Sequence, residues 1–91
     1  MENRIALLGI IVEKESSVEP LNRLLHEYKD SIVGRMGLPY RDRGVNIISV
    51  VIDAPSDAIS ALTGKIGMLD GVTAKALYSK LPDGKASEES R

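Results

Sequence analysis

The chain predicts an α+β fold of the ferredoxin-like type: a four-stranded antiparallel sheet with two helices on one face, in the order β-α-β-β-α-β. Three observations carry this. Two runs, Ile5 to Val12 and Val45 to Asp53, are apolar on both alternating faces, as in central strands covered on both sides. Two other segments repeat apolar residues at three- and four-residue spacing, as a helix lying on a sheet requires. The segments alternate in the split β-α-β order, whose right-handed crossovers place both helices on the same side.

Each element has its own local reason. Ile5-Ala6-Leu7-Leu8-Gly9-Ile10-Ile11-Val12 is the first strand, and its lone glycine marks a bulge or a close backbone contact. Ser16-Ser17-Val18-Glu19-Pro20 is a helix start, with a hydroxyl to cap free amides, an acid in the first turn and proline where no N–H is needed. Val18, Leu21, Leu24, Leu25 and Tyr28 then form one stripe on a helix of roughly three turns ending near Lys29. Ile32 to Met36 reads as a short second strand, and Gly37 to Gly44, around Pro39, as a turn. In the third strand, Val45, Ile47 and Val51 share one side, and Ile48, Val50 and Ile52 the other. Ala54-Pro55-Ser56-Asp57 starts a second helix with the stripe Ala58, Ile59, Leu62, Ile66 and Leu69. Gly64 lies off that stripe at a cost of about 1 kcal/mol relative to alanine. Either the helix ends early there or another backbone or ligand approaches closely. Asp70-Gly71 turns the chain into a fourth strand, Val72 to Leu81, in which Val72, Ala74, Ala76 and Tyr78 alternate against Thr73, Lys75, Leu77 and Ser79. Residues 1–81 form a single domain, and 82–91, with almost nothing to bury, read as a disordered tail.

Composition narrows the function. At 91 residues the domain buries only about 60% of its unfolded surface, so assembly with other copies is expected. The absence of cysteine removes disulfides, thiolate metal sites and thiol nucleophiles. A net charge of −1 without a basic arm argues against direct nucleic-acid binding. With no Trp, no Phe and three Tyr there is no material for base-stacking platforms or aromatic cages. The eight-residue N-terminal apolar run follows Arg4 and leads into Glu13-Lys14-Glu15. It is too short to span a bilayer and has no cleavage signal, so a cytoplasmic protein with no membrane partner is expected.

Two helices cover one face of a sheet, and both central strands are apolar on both faces. The second face would lie open in a monomer, which marks an interface. A homo-oligomer, dimer or tetramer, is expected, either by sheets packed face to face or by edge strands side by side, with Ile10, Val12, Ile48, Val50 and Ile52 at the contact. Gly34, Arg35, Gly37, Tyr40, Arg41 and Arg43 form the candidate ligand or partner site. Three guanidiniums beside glycines that admit close backbone approach can grip a carboxylate or phosphate; the alternative is a solvated turn with Asp42 neutralising its neighbours. His26 falls on the solvent side of its helix, and Asp53 and Asp57 read as capping or turn residues rather than a hard-cation site. No metal, cofactor or catalytic group is expected.

Ile32-Val33-Gly34-Arg35-Met36-Gly37-Leu38-Pro39-Tyr40-Arg41, the run Gly44 to Asp53, Ala61-Leu62-Thr63-Gly64-Lys65-Ile66-Gly67 and Leu69-Asp70-Gly71-Val72 are together similar to the iron-only hydrogenase system regulator family, across about residues 4 to 80. The resemblance implies an ACT-like fold, similar to the ligand-binding domain of nickel-responsive repressors without their DNA-binding half. It also implies association with hydrogenase maturation in anaerobes. A nickel site of the repressor kind needs several His and a Cys, and this chain has one His and no Cys. The segment Glu13 to Ser17, where ACT-like effectors often sit, lacks the glycine-containing loop of an amino-acid-binding ACT domain.

The expected function is therefore a non-enzymatic, oligomeric regulatory module that binds a small anionic ligand or a hydrogenase-system protein. A generic ACT-type metabolite-binding domain is the alternative. A cofactor-free enzyme of the dimeric α/β-barrel type is a third, short of equipment because no His lies on an expected strand and Tyr78 is the only strand-borne phenol.

Overall fold

The computed structural model describes residues 2–80. Its elements are β1 (Asn3–Val12), α1 (Val18–Glu27), β2 (Ile32–Tyr40), β3 (Val45–Pro55), α2 (Ser56–Gly67) and β4 (Val72–Tyr78), with single 3-10 turns at Glu15–Ser17 and Arg41–Arg43. The sheet order is β2-β3-β1-β4, every neighbouring pair antiparallel. This is the ferredoxin-like arrangement that the alternation of elements predicts. Leu81 and the expected tail, residues 82–91, lie outside the described residues.

One face of the sheet carries both helices. Ala6, Leu8, Ile10 and Val12 of β1 and Ile48, Val50, Ile52 and Ala54 of β3 pack there against Leu21 and Leu25 of α1 and Ile59, Leu62 and Ile66 of α2. The helices touch each other through Tyr28 and Lys65, whose ammonium lies 5.7 Å from the ring centroid. At the far end, Arg4 stacks 5.0 Å over the Tyr78 ring and donates to the Ser79 carbonyl. Among the described residues no helix is long and apolar enough to cross a membrane.

The structure corrects four local expectations. β2 does not stop at Met36 but runs on to Tyr40, so Gly37, Leu38 and Pro39 are strand, not turn. An edge strand tolerates Pro39 because it needs no inward-facing N–H, and a bulge between Ile32 and Gly34 resets the register. α2 does not end at Gly64 but continues to Gly67, since tertiary packing of Leu62 and Ile66 outweighs the weak propensity of one exposed glycine. The Ser17 hydroxyl makes no capping bond to α1; it donates instead to the Asp70 carbonyl.

The fourth correction concerns assembly. Ile10, Val12, Ile48, Val50 and Ile52, expected at an interface, are no more than 7% exposed, because they lie under the helices. The open face is the other parity of the same strands.

Candidate functional site: the open face of the sheet

Alternation puts every second residue of each strand on the face away from the helices, and the pairing register arranges them in rows. From β2 to β4 the rows are Leu38–Ile47–Ile11–Thr73, then Met36–Ser49–Gly9–Lys75, then Gly34–Val51–Leu7–Leu77. Asp53 beside Ile5 closes one end, and Tyr40 beside Val45 the other. Leu7 is 42% exposed and Leu77 70%, where Leu8, one residue along β1, is 0%. Met36, Leu38, Ile5, Ile11 and Ile47 are also exposed, so the apolar surface is continuous across all four strands.

Polar groups on this face are few and separated. Lys75 and Ser49 flank Gly9 in one row, and a side chain built at Gly9 would meet nothing within 4 Å. A depression of about 400 Å³ lies there, and a second of about 340 Å³ lies over Leu7, Val51 and Leu77. Asp53 carries a buried Oδ1 with no hydrogen-bond partner. Both depressions are lined mostly by aliphatic carbon, with Ser49 and Lys75 beside the first and Tyr78 and Ser79 beside the second.

The arginine-rich segment does not form a single grip. Arg35 sits opposite Val50 on the helix side of β2 and donates to Asn22 Oδ1 on α1 at 3.0 Å. Gly37 shares that side and lines a hollow of about 210 Å³ with Arg35 and Asn22. Gly34 and Tyr40 fall on the open-face parity instead. Arg41 and Arg43 lie in the 3-10 turn beyond the strand, roughly 20 Å from Arg35 at the rise of an extended chain. Arg41 borders a separate hollow of about 360 Å³ with Glu15 and Asn46. The fold thus places Arg41 and Arg43 in one turn and keeps Arg35 apart from both.

His26 is exposed and rims a shallow hollow of about 250 Å³ with Lys29 and Arg35. Asp57 stands in the first turn of α2 without a capping hydrogen bond, and Asp53 points from β3 to the open face. Among the described residues no group of three or more His, Cys, Asp or Glu gathers at one place. Sequence reasoning overlooked Ser49, Asp53 and Lys75 as marks of the open face. The signal was present: Thr73, Lys75 and Leu77 share one parity in β4, and only a solvent-facing side accommodates that lysine.

Residues 4–76 match the family described as "TM1266-like: Iron-only hydrogenase system regulator, putative". The solved structure of an uncharacterized protein from Thermotoga maritima, TM1266, superposes with a TM-score of 0.83 at 36% identity, covering 87% of this chain and 100% of that one. A formyltetrahydrofolate deformylase from Pseudomonas putida KT2440 shares the fold alone, with a TM-score of 0.59 at 14% identity over 80% of this chain and 28% of its own length. No curated protein matches the chain. Since the family match runs from the start of β1 into β4, the chain belongs to the TM1266-like family of iron-only hydrogenase system regulators.

Proposed function

We propose that this protein is a non-enzymatic regulatory module of an iron-only hydrogenase system, working as a homo-oligomer assembled on the open sheet face and acting by binding a small ligand or a protein of that system. The family supports the regulatory role. The observation that carries the assembly is the continuous apolar face from Met36 and Leu38 to Leu77. At about 3.3 Å per residue and 4.8 Å between strands the face covers about 600 Å². Two copies joined over the whole of it would bury up to about 1,200 Å², the lower end of the range of specific interfaces, whereas a monomer leaves in water an apolar patch at the upper end of what monomers show.

The absence of catalysis rests on chemistry. Lys75, Asp53 and Tyr40, the ionisable groups of the open face among the described residues, stand about 16 Å or more from one another on the sheet lattice, too far to act as an acid–base pair on one substrate. The Arg41–Arg43 turn, exposed and next to the hollow bordered by Glu15 and Asn46, is the place where an anionic ligand or an acidic partner surface would dock.

Native mass spectrometry of the full chain, purified without oxygen, tests the proposal by reporting stoichiometry and co-purifying molecules together. An oligomer carrying a small molecule supports ligand-dependent regulation, and a ligand-free oligomer supports protein recognition. A monomer at micromolar concentration overturns the assembly on which both depend. A salt-dependent shift of duplex DNA by the pure protein would overturn regulation through a ligand or partner.

A further inference from the structure

We infer that two copies pack their open faces about a two-fold axis passing over Leu7, so that Lys75 of each copy pairs with Asp53 of the other. This rests on the reading of the open face as a self-association surface and names its register. Among the described residues neither side chain has a partner: Lys75 makes no ion pair or hydrogen bond, and Asp53 Oδ1 accepts none. The chain itself closes off Oδ1, so a cation from outside meets the carboxylate through its other oxygen, and pairing there compensates a charge that has no counter-ion among the described residues.

The register places the two groups symmetrically. Lys75 lies beside Gly9 on one flank of β1, and Asp53 beside Ile5 on the other. The midpoint of Gly9 and Ile5 along β1 is Leu7, which is also the strand position midway between β4 and β3. A two-fold axis lying between the sheets over Leu7, perpendicular to the Lys75–Asp53 line, exchanges the two positions. It produces two ion pairs from one operation, as an isologous interface requires.

The remaining contacts follow from the same operation on the lattice. The gap above Gly9 faces Val51 of the other copy, and Leu77 faces Ile5 of the other copy. The strands of the two sheets cross at about 70°, closer to the orthogonal class of sheet packing than to the aligned one. With sheets about 10 Å apart, a lysine stem spans the gap to a carboxylate. The lone glycine of β1 thus has a use in the assembly: it leaves room for a branched side chain from the facing sheet.

Charge reversal in the full-length chain tests this. Lys75→Glu and Asp53→Lys should each weaken self-association by at least about tenfold in sedimentation equilibrium, because each homodimer then holds two like-charge contacts. Mixed in equal amounts, the two variants should form a heterodimer in preference to either homodimer, since that pairing alone restores both bridges. The double variant should associate as the unaltered protein does. Far-UV circular dichroism checks that each is folded. If Asp53→Lys does not fold, the salt dependence of association in the unaltered chain, and its loss in Lys75→Met, reads the same contact. Variants that self-associate normally, or mix without preference, overturn the register while leaving the face-to-face reading intact. A monomeric unaltered protein overturns both.

Discussion

Ser17, in the turn before α1, donates its hydroxyl to the carbonyl of Asp70, 53 positions along the chain, at 2.5 Å. The same corner holds a backbone bond from Glu13 N–H to the Gly71 carbonyl at 2.7 Å and an ion pair between Lys14 Nζ and Asp70 Oδ2 at 3.0 Å. The connection leaving β1 is thereby tied to the one entering the edge strand β4, at the end of the sheet where Val12 pairs with Val72. Ser17 is the buried polar residue of this corner at 4% exposure, and its loss removes the hydroxyl that ties the exposed Asp70 turn to it. Ser17→Ala should lower the unfolding free energy by about 1–1.5 kcal/mol, the net worth of one such hydrogen bond. Lys14→Ala should lower it by less than about 1 kcal/mol, because both partners of that pair are exposed. Urea unfolding of the two variants checks the order, and a larger loss for Lys14→Ala would contradict it.

Gly71 and Gly44 both adopt positive φ, 70° and 69°, yet only one is crowded. A Cβ at Gly71 would lie 2.7 Å from Lys14 Cγ and 3.3 Å from the Lys14 backbone nitrogen, whereas one at Gly44 would meet nothing within 4 Å. Gly44→Ala should therefore cost only the left-handed conformation, about 1 kcal/mol. Gly71→Ala should cost distinctly more, because the corner built around Lys14 must shift as well. Equal midpoints in thermal unfolding would show that the corner yields freely.

Gly64 stands on an exposed turn of α2 with open space around it. Gly64→Ala should raise stability by about 0.5–1 kcal/mol, the ordinary gain of replacing glycine within a solvated helix. A gain in chemical denaturation without change in assembly identifies the position as free surface. A loss of oligomer or of a co-purifying molecule identifies it instead as a point of close approach.

The order of elements was legible because each carries its own periodicity, but two features of the site were not. β1 is apolar on both faces, so neither Ile10 nor Leu7 announces which parity the helices cover. The polar residues that mark the open parity lie in the neighbouring strands, Lys75 in β4 and Ser49 and Asp53 in β3, and only the pairing of Leu7 with Leu77 and of Gly9 with Lys75 carries their mark over to β1. β2 misled for a different reason. Gly34, Gly37 and Pro39 have the chemistry of a turn, and only their place on a sheet edge, where backbone groups face water, permits nine residues of strand. Extending the strand carried Arg35 away from Arg41, and the single anion grip that sequence proximity suggested divided into two places.

Parity also supplies the sharpest test of the proposed assembly. Leu8 and Leu77 lie in adjacent strands, but Leu8 points to the helices and Leu77 to the open face. Leu8→Ala empties a fully buried site and should cost about 2–5 kcal/mol of unfolding free energy, since packed helices and sheet close only partly around the cavity. Leu77→Glu removes no core contact and should change the stability of the isolated chain by no more than about 0.5 kcal/mol. It should nevertheless dissociate the oligomer, because a carboxylate placed between two apolar sheets must give up its water without a cation opposite it. Light scattering and urea unfolding on the two variants separate the effects. A folded, fully assembled Leu77→Glu protein would move the interface off this face and onto a free sheet edge, β2 or β4.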